Sequence, residues 1–423
     1  MSQPGPVSSD YDFKVQDCFL GAQMHFVAFG ALVLVPLLTG LNPNVALFTA
    51  GIGTLVFQLI TRGKIPVFLA SSFAFIAPIQ YGVATWGIPG TMCGLAAAGL
   101  VYILISLVVR VQGSGIIRKV LPAIVTGPVI MVIGLKLAPV AVGMATSGGD
   151  HYSKTQAMVV ASVALGTTVL VSMFGKGMVK LVPILCGISS GYIVALVLGM
   201  VSFDAVGAAP WLAIPAFVMP QWNPQAIFYI LPVAIAPAIE HFGDVVAIGR
   251  VTGKDYIKNP GVQNTLLGDG VATSIASCLG GPPNTTYSEV TGAVTLTRAF
   301  NPAIMTWAAI TAVLLAFVGK LGALLQTIPV PVMGGIMLLL FGAIAVVGLN
   351  TLVQSKEDLV SARNLTVVAL ILVCGLGGMT LKLGNFELSG IGLAGVLGVV
   401  LNLVLPKGSK EEQPDLRSTD PLN

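Results

Sequence analysis

Charge is what this chain has least of. Only 9% of its 423 residues are Asp, Glu, Lys or Arg, and residues 26–61 and 65–109 contain none. Runs of that length would aggregate in water, but about 20 apolar residues in a helix cross a bilayer. Aromatic residues are also scarce, at 7%, beside 50 glycines, a balance suited to closely packed membrane helices. The net charge of +4 forms no basic stripe interleaved with aromatics, which excludes nucleic acid as a partner. The polar start MSQPGPVSSDYDFK is unlike the basic opening of a cleaved signal peptide. Cys18, Cys93, Cys186, Cys278 and Cys374 form no CxxC pair, which argues against disulfide or metal chemistry and predicts small core residues. What remains is a polytopic membrane protein with a mean hydropathy of +0.92.

Apolar runs divided by polar, Gly or Pro signals give fourteen expected spans, at 18–38, 44–60, 66–83, 90–109, 121–141, 157–174, 181–201, 225–248, 262–280, 284–297, 303–319, 324–349, 365–381 and 388–405. Loops on the cytoplasmic side collect Lys and Arg. With the N-terminus inside, Arg62 and Lys64, then Arg110, Arg118 and Lys119, then Lys176 and Lys180 all fall inside. Arg250, Lys254 and Lys258, then Arg298, then Lys356 and Arg363 follow them. The alternate loops hold only Lys154, Lys320 and Lys382, with Asp150, Asp204 and Glu387. Both termini are therefore expected in the cytoplasm, the tail from Lys407 as a disordered end.

An internal repeat is visible. IIRKVLPAIVTGPVIMVIG (116–134) is similar to ALLQTIPVPVMGGIMLLLFG (323–342), with Pro122 and Gly127 matching Pro329 and Gly334 at an offset of 207 residues. His-Phe recurs in the first and eighth spans, in VQDCFLGAQMHF and VAIAPAIEHF. Seven spans per repeat force the halves into opposite orientations, the inverted arrangement of secondary transporters. Discontinuous helices are then expected in the third and tenth spans. The third, KIPVFLASSFAFIAPIQYG, is interrupted by Pro66, Ser71, Ser72 and Pro78; the tenth opens with GGPPNTTYSE. Gly280 to Pro283 cannot continue a helix, and Asn284, Thr285 and Thr286 are expected to cap a half-helix starting at depth. Irregular backbone is tolerated there only around a protein-enclosed cavity.

Ionisable residues inside the spans are few: His25, Lys136, Glu240, His241, Asp244, Asp269 and Glu289. Each costs at least ~2.5 kcal/mol at the bilayer centre, so it faces a cavity or a partner. Lys136 is expected near a span end, Asp269 in a turn or an ion pair, and His25 either bridging helices or in a site. Glu240 and Asp244 share one helix face with His241 beside them. The alternatives are a buried polar network, a metal site, which would want a second Glu-x-x-His motif that is absent, and substrate and proton handling. Glu289, with Gly292 one turn on, is either bonded to the hydroxyls of Thr285 or Thr286 or placed in a site. A channel would need charged rings or a repeated filter, and a membrane enzyme a metal motif or nucleophile elbow; neither appears.

QMHFVAFGALVLVP (23–36), GKIPVFLASSFAFIAP (63–78), the Glu-His-x-Gly of 240–243, PNTTYSEVTG (283–292) and IPVPVMGG (328–335) together resemble the nucleobase–ascorbate transporter (nucleobase:cation symporter-2) family, in particular its bacterial uracil permeases. The resemblance implies an all-α fold of fourteen segments as a 7+7 inverted repeat, with short antiparallel strands in segments 3 and 10. It implies a core domain of residues 18–110 and 225–319 and a gate domain of 111–201 and 320–406, flanked by a tail (1–17), an extracytoplasmic loop (202–224) and a tail (407–423). It implies proton-coupled uracil import at the plasma membrane, driven by the proton gradient with no cofactor, and a homodimer through the gate. Glu240, Glu289, Phe73 and Ser288 would bind the ring: carboxylates accept from its N–H groups, the amides of Phe73 and Ser288 donate to its carbonyls, and Phe73 covers a face. Glu240, Asp244 and His241 would handle the proton. Xanthine, urate or another pyrimidine is the alternative cargo, and Glu289 in place of glutamine favours uracil. Val290 stands where the family signature has asparagine, and Asp244 where uracil permeases carry a histidine.

Overall fold

Glycine and proline decide where this chain stops being helical. The computed structural model describes residues 10–406 apart from 29, 114, 150, 151, 356, 384 and 385, and the side chains of Ser288 and Glu289 also lie outside the described residues. Asp150, Lys356 and the tail from Lys407 therefore fall outside it. The first half comprises α1 (Cys18–Val27), α2 (Pro43–Ile60), β1 (Leu69–Ser71), α3 (Ile76–Gln112), α4 (Ala123–Thr146), α5 (Lys154–Phe174) and α6 (Pro183–Val197). The second comprises α7 (Ile235–Thr252), α8 (Val262–Cys278), β2 (Asn284–Thr286), α9 (Ser288–Thr297), α10 (Ala303–Ala316), α11 (Val330–Ser355), α12 (Ala362–Leu376), β3 (Thr380–Leu383), β4 (Phe386–Ser389) and α13 (Gly390–Val404). Short helical turns join them. Six helices among the described residues are long and apolar enough to cross a membrane, and four shorter apolar ones accompany them.

Local chemistry explains the starts and stops. Pro43 opens α2 behind Asn42, whose side chain accepts from the amides of Asn44 and Val45 at 2.8 and 3.2 Å. Ser153 and Gln156 form a reciprocal capping box at the start of α5. Gly87, at φ 70° and ψ 176°, breaks α3 into two helical pieces with Pro89 behind it.

Four expectations need correction. The first span is not regular α-helix throughout: α1 ends at Val27, and a wider helical turn at Gly30–Leu34 runs directly into a short helix at Val35–Thr39. Asn284, Thr285 and Thr286 do not cap a helix; they form β2, and Tyr287 precedes α9 with extended backbone and no side-chain cap. The last two spans are shortened because α12 stops at the Gly377–Gly378 pair, the latter at φ 76°, and the chain then pairs β3 with β4 antiparallel. No described cysteine is fully buried, and Cys278 is exposed.

The antiparallel crossing of α4 and α11 is built on glycine. A Cβ on Gly127 would meet Leu352 and the Gly348 carbonyl, and one on Gly334 would meet the Ala145 and Met144 backbone. These contacts exchange under the 207-residue offset, since 127 and 145 correspond to 334 and 352. A Cβ on Gly134 would strike the Phe341 carbonyl, and these two residues correspond to each other under the same offset. Elsewhere α8 packs on α2 and α3, α10 on α1 and α2, and α11 on α5. Residues 10–17 bind the ends of the α1, α2, α7 and α10 group. Phe13 stacks on Trp307 at 4.6 Å, Trp307 Nε1 donates to the Lys14 carbonyl, Asn301 bridges Asp12 and Asp17, and Lys254 pairs with Asp10.

Because the atoms facing Gly134 are backbone, they cannot give way. Gly134→Ala is expected to cost about 1–3 kcal/mol and lower the melting temperature in detergent by several degrees. Gly143→Ala on the same helix, where a Cβ meets nothing within 4 Å, should leave it unchanged or raise it. Equal melting of the two variants would contradict the tight crossing.

Candidate functional site

Two strands of three residues each cross within the helical bundle. β1 pairs antiparallel with β2, Leu69 opposite Thr286 and Ser71 opposite Asn284, and the Ser72 amide extends the pair to the Pro283 carbonyl at 2.9 Å. All six strand residues are buried. So short a sheet has two open edges, which the flanking helices satisfy. The Leu69 amide donates to Thr54 Oγ1 at 2.9 Å, and Gln58 Nε2 donates to the Ile65 carbonyl at 2.8 Å. On the other edge Thr273 donates to the Asn284 carbonyl at 2.7 Å, and Asn284 Nδ2 donates to the Thr49 carbonyl at 2.9 Å. This is the side-chain substitution for water that hydrocarbon requires.

Each strand ends in an aromatic residue and a helical turn. Phe73 opens the turn after β1; Tyr287 follows β2 and α9 begins at Ser288. The first amides of such turns have no intrahelical acceptor, so Phe73 and Ser288 occupy positions suited to donating to a ligand carbonyl. The Phe73 ring, 7% exposed, lies 5.8 Å from Tyr287 and 6.4 Å, edge-on, from Phe341 of α11. Sequence reasoning does not single out Tyr287 or Phe341. The position of Tyr287, mirroring Phe73 after a Pro-interrupted polar run, is the signal that could have found it. A Cβ on Gly292 would meet nothing within 4 Å, so its side of α9 is open.

α7 supplies Glu240, His241 and Asp244. Glu240 is half-buried, whereas His241 and Asp244 are buried. His241 Nε2 lies 2.9 Å from Thr265 Oγ1, and Nδ1 lies 3.4 Å from both Asp269 Oδ2 and Thr286 Oγ1. Thr286 donates to Asp244 Oδ2 at 2.9 Å. That hydroxyl has one proton, so towards His241 it can only accept. Thr265 also reaches the Val262 carbonyl at 3.1 Å. With the proton on Nε2, Thr265 accepts from the ring and donates to Val262. With the proton on Nδ1, the ring faces the Asp269 carboxylate as donor and Thr265 can turn its proton to Nε2. One imidazole thus has a workable partner in either tautomer, and the fully protonated ring would form an ion pair with Asp269. At 3.4 Å the Asp269 contact is long for a hydrogen bond.

Asp269 is therefore not in a turn. It sits inside α8, fully buried, between two glycines that let the helix approach its neighbours. A Cβ on Gly268 would strike Phe57 of α2, and one on Gly270 would strike the Gly99 carbonyl and Tyr102 of α3. Asp269, Thr265 and Thr286 extend the proposed proton group beyond the residues chosen from sequence. The Gly-Asp-Gly pattern signals close packing here, although it has the look of a turn. Val290 is 1% exposed and packs in the apolar core. His25 bridges α1 and α10 through Thr311 at 3.3 Å and meets Phe68 edge-on, apart from the α7 group. Lys136 is mid-helix rather than at a span end, its ammonium 3.5 Å from the Leu376 carbonyl at the end of α12, where a cation suits the helix dipole. Among the described residues no group of three or more His, Cys, Asp or Glu is arranged to hold a metal ion.

The comparisons with known proteins agree with this architecture. A family profile described as the Permease family matches residues 15–384. The chain belongs to this permease family, among the bacterial nucleobase–cation symporters. It is 54% identical over 410 residues to a probable uracil permease of Haemophilus influenzae, covering 97% of this chain and 99% of the relative. It is 44% identical to the uracil permease of Bacillus subtilis, covering 92% of both chains, and 38% identical to that of Escherichia coli K12, covering 91% and 90%. This permease is a multi-pass membrane transporter of the nucleobase class and not an enzyme. In fold it resembles the transmembrane domain of the cyanobacterial bicarbonate transporter BicA, with a TM-score of 0.60 at 16% identity over 81% of this chain and 97% of that one. It also resembles murine Slc26a9, an anion transporter in its inward-facing state, with a TM-score of 0.66 at 12% identity over 93% and 68%.

The hydroxyl of Thr286 has a measurable role in this arrangement. Thr286→Val removes the donor to a buried carboxylate and should cost about 1–3 kcal/mol, whereas Thr286→Ser should recover most of it. Melting temperatures of the purified permease variants test this, and equal loss from both would place the effect in packing.

Proposed function

We propose that this permease imports uracil together with protons, by alternating access between a core domain (18–110 and 225–319) and a gate domain (111–201 and 320–406). The observation that carries the reading is the β1–β2 crossing, which brings the helix starts at Phe73 and Ser288 together and joins β2 directly to the carboxylate of α7 through Thr286 and Asp244. Relatives at 38–57% identity named uracil permeases support uracil as the cargo.

Uracil has two N–H donors and two carbonyl acceptors in one plane. Glu240 and Glu289 are assigned to the N–H groups, the amides of Phe73 and Ser288 to the carbonyls, and the Phe73 ring to one face. Glu240, Asp244 and His241 on α7 are assigned to proton handling, with Asp269 and Thr265 on α8 and Thr286 on β2 around the ring. Asp244 thus occupies the place of the histidine of uracil permeases, beside Glu240 and His241 on the same helix. The exchanging contacts of α4 and α11 support the 7+7 inverted repeat, with β1 and β2 as the discontinuous points of segments 3 and 10. The same reading places the chain in the bacterial inner membrane with both termini cytoplasmic, and the gate domain at a homodimer interface.

Radiolabelled uracil uptake into proteoliposomes should require an inward proton gradient. Glu240→Gln and Glu289→Gln should each weaken uracil binding about 10- to 100-fold, the loss of one charge-assisted hydrogen bond. Gradient-independent accumulation would remove the symport assignment, and full activity of both variants would remove the site. Thermal stabilisation by uracil beyond that by xanthine or urate separates the cargoes.

A further inference from the structure

A cleft of about 280 Å³ opens between α1, α9 and the beginning of α6. Met24 and Val27 line it from α1, Val182 and Leu185 from α6 and the turn before it, and Ala293 from α9. Its polar groups are Gln23 and Thr297, and the Thr297 hydroxyl is already spent on the Ala293 carbonyl at 2.8 Å. A nucleobase would lose its hydration here and gain almost no hydrogen bonds, so the cleft is no second place for the cargo. Nor can a helix of another copy enter, because a helix with side chains is about 10 Å across and the space lies between packed helices. The volume is nearly twice the roughly 150 Å³ of an apolar cavity that accepts benzene. It suits a flexible hydrocarbon chain.

The rim tells which hydrocarbon chain. Phe19 is 75% exposed and Val179 49% exposed at the mouth, large apolar groups that belong against lipid. Three exposed cations adjoin lining residues in sequence: Lys176 and Lys180 on either side of Val179, and Arg298 immediately after Thr297. Among the described residues none of the three is in an ion pair. The neighbouring carboxylate, Asp17, is held by Asn301 at 3.3 Å. Cations on both walls above an apolar slot match an anionic headgroup above an acyl chain.

We propose that this cleft is a binding site for one acyl chain of an anionic phospholipid, its headgroup held between Lys180 and Arg298. The site is independent of which nucleobase the permease carries. Its walls come from two groups of helices, α1 with α9 and α6 with its preceding turn, so the lipid fills a seam between them.

The test uses the full chain reconstituted in phosphatidylcholine nanodiscs containing phosphatidylglycerol with a photoactivatable diazirine on its acyl chain, with labelled peptides mapped by mass spectrometry. Labelling should concentrate in residues 19–27 and 179–185 and be displaced several-fold better by unlabelled phosphatidylglycerol than by phosphatidylcholine. Ala22→Phe should lower it several-fold, and Val182→Phe fills the same space from the other wall should Ala22→Phe not fold. Lys180→Gln combined with Arg298→Gln should erase the preference between the lipids while leaving the labelling in place. Labelling that fails to saturate, spreads evenly to outer helices such as α12 or ignores both filling variants overturns the site. Equal displacement by the two lipids in the unaltered chain overturns the anionic assignment, and a crosslink to a second copy shows a protein contact instead.

Discussion

Six residues of paired strand, buried among helices in a membrane protein, constrain everything around them. An extended segment in hydrocarbon leaves amides and carbonyls that water cannot reach, and each unsatisfied group costs several kcal/mol. Here Thr54 and Gln58 serve one strand, and Thr49 and Thr273 serve the other through Asn284 or its backbone. Those hydroxyls and amides hold α2 and α8 against the strands, and that proximity in turn explains the small residues nearby. A Cβ on Gly53 would strike the Asn284 side chain, and one on Gly281 would strike Thr49. The polar residues of β2 thus serve two neighbours: Asn284 supports the sheet, while Thr286 donates to the carboxylate of α7.

The second consequence is electrostatic. His241 and Asp269 are both fully buried, on different helices, and lie within 3.4 Å of each other, while the glycines on either side of Asp269 let α8 approach α2 and α3. The contact becomes an ion pair only when the ring is protonated. The ring has a partner for each tautomer. The proposed lipid cleft is the opposite case, a seam where packing between two groups of helices is left open and the surrounding solvent is hydrocarbon.

The membrane class, the basic loops and the family were legible because they rest on composition, periodicity and local motifs. The matching Pro122 and Pro329, with Gly127 and Gly334, also led to the helix pair where the closest backbone crossings occur. The strand residues were harder. Asn284, Thr285 and Thr286 have the chemistry of helix caps, and only the pairing with β1, 215 residues earlier in the case of Ala70 and Thr285, turns them into a strand. Of the two readings of Asp269, a turn or an ion pair, the turn fails, and His241 as its neighbour was not legible because nothing local reveals that both flanking glycines are contact surfaces.

Sequence alone determined that the chain lives in a bilayer, that its apolar runs are helical, that Gly and Pro interrupt them at set points, and that Glu240, His241 and Asp244 share a helix. These are properties of short windows: hydropathy, helical spacing and backbone stereochemistry. Tertiary structure decided that β1 meets β2, that His241 lies between Thr265, Asp269 and Thr286, and that α4 and α11 touch through glycine. Those pairings join residues far apart in the chain, and they are selected by the pairing of buried polar groups and the filling of space over the whole molecule, a condition no local window contains.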